Sequence, residues 1–299
     1  LGARAIGRST GLAGGTGADL LVLGGALSGT STASTRTDAD TVGIIGAATA
    51  RNALVADAAI AAIDGGSGND QLETSGNVTL IATSTIRSDR MTFSGVGANS
   101  ATGSSEILAR ASGIDTGAGD LAIHSNSAVN SGQLGLTAVA AASDASTAIS
   151  LVGASVATAS TAIRATALGL VGNAGRDTLL NSGNLSVTAS ASGGSQRSSV
   201  TLVGANVVTA TTLVAATASG MTGGDGNDTL RNAGLLAGAA TARARNSSLS
   251  AGALGVTLAN ADNSAEARLT GIDGGTGNDS IIMDGTLQLG SLATSTGAD

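Results

Sequence analysis

Six short segments of this 299-residue chain concentrate its acidic side chains beside glycine. Gly65-Gly66-Ser67-Gly68-Asn69-Asp70-Gln71-Leu72 recurs as Gly223-Gly224-Asp225-Gly226-Asn227-Asp228-Thr229-Leu230 and as Gly274-Gly275-Thr276-Gly277-Asn278-Asp279-Ser280-Ile281. Looser copies are Gly14-Gly15-Thr16-Gly17-Ala18-Asp19, Gly117-Ala118-Gly119-Asp120 and Gly172-Asn173-Ala174-Gly175-Arg176-Asp177. Asp64, Asp115 and Asp273 stand just before three of these segments, so ten of the 21 acidic residues lie in or beside them. The chemistry open to such a set is carboxylate chemistry. The glycines are those of a tight turn that needs positive φ.

Other chemistry has few carriers. His124 is the only histidine, and it falls in the one irregular stretch of the chain, where a loop is the natural placement. Cysteine is absent, which removes disulfides, zinc–thiolate sites and thiol catalysis together. All 14 basic residues are Arg, and a net charge of −7 argues against a nucleic-acid or polybasic membrane surface. Arg110, Arg164 and Arg268 occupy outward positions, where a solvated role is the default. No acid, base and nucleophile recur together, so no enzyme is expected. No uninterrupted apolar run of about 18 residues exists, so no membrane span is expected either.

The elements that position the turns follow from a repeat. Gly25, Gly76, Gly132, Gly183, Gly234 and Gly285 recur every 51 residues, apart from one interval of 56. Gly46, Gly97, Gly153, Gly204 and Gly255 keep step, as do Ala62, Gly113, Gly169, Gly220 and Gly271. The irregularity is an insertion between Asp120 and Gly132. After each first glycine, Leu27, Val78, Leu134, Leu185, Leu236 and Leu287 alternate with polar residues, the period of a strand with one buried face. A later strand centres on an all-alanine column, Ala58, Ala109, Ala165, Ala216 and Ala267. Between them lies a strand with apolar residues on both faces, as in Ile149, Leu151 and Val152 or Val200, Leu202 and Val203. Ala47 to Ala62 alone would pass as an alanine-rich helix, but its equivalent, Ala205 to Gly220, is rich in Val and Thr, which favour strands.

The fold class expected is therefore all-β: a parallel β-solenoid of about six 51-residue repeats, one coil each, with the Gly-Asp turns on one edge. A single array spans 1–299, its repeats beginning near Gly14, Gly65, Thr116, Gly172, Gly223 and Gly274. Columns of small residues let the layers approach closely, which compensates for a chain whose only aromatic residue is Phe93.

The turn octapeptides resemble the nonapeptide G-G-x-G-x-D-x-U-x of RTX (repeats in toxin) proteins, where U is a large apolar residue. That resemblance implies Ca2+, held by backbone carbonyls freed by the glycines and by the Asp carboxylates. On it the metal ligands would be Asp19, Asp64, Asp70, Asp115, Asp120, Asp177, Asp228, Asp273 and Asp279. The chain departs from the family in separating its motifs by some forty residues of other strand. Asn181-Ser182-Gly183-Asn184-Leu185 and Asn130-Ser131-Gly132-Gln133-Leu134 are similar to the solenoids of surface adhesins of the filamentous haemagglutinin type.

Every recurring feature serves stacking, so the expected function is a structural segment of a fibre, stalk or filament. The alternative is a recognition module of adhesin or ice-binding type, and a carbohydrate-active β-helix enzyme is the least favoured class. The chain starts at Leu1 and stops partway through a repeat, which reads as a piece of a longer molecule that self-associates end to end or laterally. Weak calcium sites fill at external calcium levels, which points to an extracellular location, on a bacterial surface by the resemblance.

Overall fold

The computed structural model describes residues 2–117 and 125–298. Among them every regular element is a β-strand. Strand pairing is parallel throughout, and its offset is the sequence repeat: Gly2 pairs with Ala53, Ala48 with Asn99, Gln133 with Asn184, and Leu235 with Thr286. One repeat is one coil. Where Asn77 pairs with Gln133 the offset is five residues longer, because the insertion is taken up outside the ladder. The insertion lies between Gly117, which still stacks on Gly66, and Ser125, whose backbone N–H donates to Asn69 Oδ1. His124 and Asp120 lie outside the described residues.

Each coil is a flattened loop. Leu27–Ile45 runs outward, the chain reverses at Gly46 (φ 112°), and Ala48–Ser67 runs back. The glycine turn and the four-residue strand Gln71–Thr74 close the near end, and Ser75-Gly76 turns the chain into the next coil. Nineteen extended residues at about 3.3 Å each make the long layers roughly 60 Å wide, against about 4.8 Å of rise per coil. The alanine-rich stretch is strand, because the ladder on either side recruits its backbone whatever its intrinsic helix preference.

The tip exchanges the parity of the inward residues. In Asn77–Asp115 the even positions from Val78 to Ser94 point inward, and after Gly97 the odd positions from Asn99 to Ala111 do. Near the closing end the two layers meet through Leu80, Ile86, Ile107 and Ile114, each side chain worth about 1.5–3 kcal/mol when buried. The column Ala58, Ala109, Ala165 and Ala216 is fully enclosed between them, and Ala267 is half-buried. The glycine series at Gly76, Gly132, Gly183, Gly234 and Gly285 needs no positive φ. A Cβ there would drive into the backbone of the coil beneath, as at Gly183 on the Gly132 carbonyl.

The outer half of the interior is polar. Arg90 and Arg197 point inward from the second and fourth coils and share the carboxylate of Asp144 in the third, at 2.5 Å to Oδ1 and 2.8 Å to Oδ2. All three side chains are fully buried, with Arg90 facing the space left by Gly103. Sequence alternation places arginine outside, and it does so for Arg110, Arg164 and Arg268, but not for this pair.

The tip corrects a second expectation. Ile149, Leu151 and Val152, like Val200, Leu202 and Val203, do not serve two buried faces. The inward residues there are Ser150 in one coil and Ser199 and Thr201 in the other, while the apolar neighbours project outward. The reversal at Gly153 and Gly204 puts two consecutive residues on the outer side of the bend.

Candidate functional site

The turn motif resolves into positions with separate tasks. Its second and third glycines take positive φ, as at Gly66 (93°) and Gly68 (139°), where a side chain would be strained. Its first glycine lies under the motif aspartate: a Cβ on Gly65 would sit 2.9 Å from Asp70 Oδ2, and one on Gly172 would sit 2.8 Å from Asp177 Oδ2. The aspartate turns inward and reaches the neighbouring coil.

The result is a ladder along the solenoid axis. The backbone N–H of Asp19 donates to Asp70 Oδ1 at 2.9 Å, and that of Asp70 to Asn126 Oδ1 at 2.9 Å. Asn126 donates to Asp177 at 3.2 Å, Asp177 to Asp228 at 2.8 Å, and Asp228 to Asp279 at 2.9 Å. Each side chain thereby satisfies a backbone donor that the turn leaves outside the sheet ladder. Asp70, Asp177 and Asp228 are buried, and Asp19 and Asp279, in the first and last turns, are half-buried.

Five of the nine expected ligands, Asp19, Asp70, Asp177, Asp228 and Asp279, thus share one column. In the third coil the place is held by Asn126, which the motif search missed because the insertion separates it from its glycines. Counting back six residues from Gly132 finds it, as the same count finds Asp70 from Gly76 and Asp177 from Gly183. Asp64, Asp115 and Asp273 form no continuous second column, since Val171 and Thr222 stand between Asp115 and Asp273. Each instead accepts the N–H of the second glycine of its own turn, Gly66, Gly117 or Gly275, at 3.0–3.1 Å. Among the described residues, no three acidic or histidine side chains converge as a closed metal cage.

Burial sets the electrostatics. Loss of water pushes the Asp177 carboxyl up from 3.8 to about 7, against the hydrogen bonds from Asn126, and the charge of Asp228 adds to the rise. Asp228 is also raised, first by burial and then by Asp279 and Asp225 beyond its hydrogen bond with Asp177. The second oxygens, Oδ2 of Asp19, Asp177 and Asp228, are buried and accept no hydrogen bond. Beside them lie carbonyls of the next coil: Gly65 O by Asp19, Gly223 O by Asp177, and Gly274 O by Asp228. Such a column can either hold protons or take a cation through these oxygens.

A second ladder flanks the closing strand. Asn130 Nδ2 donates to Asn181 Oδ1 at 2.7 Å, and Asn181 Nδ2 to Asn232 Oδ1 at 2.6 Å, all three side chains buried. These are the asparagines of the Asn-x-Gly-x-Leu segments. On the outer surface of the return layer, Thr102, Ser104, Thr158, Ser160, Thr209 and Thr211 line an open groove of about 520 Å³. Compared with known proteins, the chain matches no family model, no curated protein and no solved structure.

Proposed function

We propose that the chain is a structural repeat segment of an extracellular fibre, stalk or filament, stabilised by calcium at its turn edge. The observation that carries this reading is the residue-to-residue register between coils, in which glycines, alanines, asparagines and aspartates all stack on their own kind. A chain selected for a single site breaks its repeat where the site lies. Here the repeated residues are committed to holding one coil on the next, as a load-bearing rod requires.

Calcium fits the donor set in one respect, the buried Oδ2 atoms of Asp19, Asp177 and Asp228 without hydrogen-bond donors. These oxygens, with the carbonyls of Gly65, Gly223 and Gly274, would hold the ion, which would supply the counter-charge that the ladder lacks. The Oδ1 atoms remain on the backbone N–H groups. Filling such sites calls for the millimolar calcium of an extracellular setting.

A second reading, a recognition module of adhesin type, draws on the Thr- and Ser-lined groove of the return layer. Electron microscopy of the purified chain with and without calcium tests the first reading. Copies stacked end to end into straight rods, with a repeat of about 4.8 Å along their axis, are expected. Compact particles that retain a ligand in the groove would displace it in favour of the second.

A further inference from the structure

We infer that the tip of the solenoid is the surface through which two copies of this chain pair side by side. The inference rests on the structural reading above and names the partner and the face. At the tip the usual order is inverted, with hydroxyl and amide groups inside and aliphatic side chains outside. Ile45, Val96, Val152 and Val203 lie in register along one line, and Leu151 and Leu202 lie beside it on the next. In coils covered on both sides, Val96 is 52% exposed, Leu151 47%, Val152 45% and Leu202 54%. Their exposure therefore does not come from a missing neighbour.

Three observations choose a second copy over other occupants. The first is area. On the three tips covered on both sides, Met91, Val96, Leu151, Val152, Val200, Leu202 and Val203 are 39–54% exposed and together present on the order of 500 Å², a patch at the upper end of what a monomer surface carries and one that lengthens with every coil. The second is charge. The stretches 41–50, 91–105, 145–163, 198–214 and 246–261 contain no acidic or basic residue, although the chain carries a net charge of −7. Tip-to-tip pairing leaves the acidic turns at opposite outer edges, separated by several times the ~8 Å screening length. The third is period. The ridge rises by one coil per step, so a second ridge related by a two-fold axis meets it with the same spacing at every level. A lipid surface has no such period, and the chain lacks the Trp, Tyr and Lys that anchor proteins at one.

The absence of cysteine makes the test direct. Leu151 stands on the middle of the five tips, nearest to a central two-fold axis, whereas Ser186 is exposed on the outbound layer near the closing end. Under mild oxidation Leu151→Cys should form disulfide-linked dimers at least tenfold faster than Ser186→Cys. Sedimentation of the unmodified chain at about 10 μM should show a dimer or larger species. Val152→Glu with Leu202→Glu should halve the mass per unit length of the particles in scanning transmission electron microscopy, with an unchanged β-sheet circular dichroism spectrum. A monomeric unmodified chain, or equal cross-linking at the two cysteine sites, overturns the inference. So does a chain that stays monomeric while binding phosphatidylcholine vesicles. Rods that persist in the double Glu variant leave the structural reading standing. Paired particles that never extend along the axis would instead count against that reading and leave the pairing intact.

Discussion

The Asp177 backbone N–H donates to Asp228 Oδ1 across 2.8 Å, so one carboxylate fixes the turn of the coil before its own. The same carboxylate sits next to another, and folding takes both out of water. With Asp177 at about 7 in the folded chain and 3.8 as its ordinary value, the folded state binds the extra proton between those limits. Stability therefore falls as pH rises from about 4 to about 7 and is level above that range.

Asp177→Asn should remove much of this dependence. Asn126 already occupies the equivalent place one coil away and accepts the same backbone hydrogen bond from Asp70. In EDTA the variant should melt about 2–4 °C higher than the parent at pH 8, the shift for ~1 kcal/mol, and within about 1 °C of it at pH 4. Thermal melts followed by circular dichroism at the two pH values decide the point. A lower melting temperature for the variant at pH 8 would show the charge itself to be stabilising.

Calcium should reverse that sign. An ion on the buried Oδ2 atoms favours the ionised carboxylates and stabilises the fold by mass action, by about 2.7 kcal/mol at 100 times its dissociation constant. Saturating calcium should raise the melting temperature more at pH 8 than at pH 5, and Asp228→Asn should shrink the gain. Identical melting curves in calcium and EDTA would leave protons as the only partners of the ladder.

The interior ion triad gives a prediction of a different kind. Asp144→Ala leaves Arg90 and Arg197 buried without a counter-charge and should cost about 3–5 kcal/mol by urea denaturation. Burial already lowers the Arg197 guanidinium to about 10, and the loss of Asp144 removes the partner that opposes this. Replacing all three together, as Arg90→Met, Asp144→Leu and Arg197→Met, should restore stability to near the parent value or above it.

Two glycines test stacking against composition. Gly183→Ala places a methyl on the Gly132 carbonyl and should destabilise by about 3 kcal/mol, because backbone rather than a flexible side chain must move. Gly194→Ala has open space around its Cβ and should change stability by no more than about 0.5 kcal/mol.

The strand period, the coil length and the inward columns were legible in the sequence because each repeat restates them. The alanine column from Ala58 to Ala216 could be read from spacing alone, since any other register would expose it. What lay hidden was whatever a single repeat carries. Asp144, Arg90 and Arg197 come from three coils, and only the stacking of those coils brings their charges together. The tip was misjudged for a related reason: alternation identifies two faces but does not say which is inside once the chain has reversed at Gly153. Asn126 was legible by counting from Gly132, but not by motif, because its carboxamide stands where the pattern asks for a carboxylate.

The uniform offset of the strand pairs also has a kinetic side. Each new coil must close a loop of about 51 residues, a cost near 3.5 kcal/mol by chain statistics, before its ladder hydrogen bonds form. The first coil to order has no neighbour to lie on, whereas each later one finds a finished template. Folding should therefore show one slow nucleation followed by fast stepwise growth from its edge. A chain emerging from a channel one end first would order in the direction of its emergence.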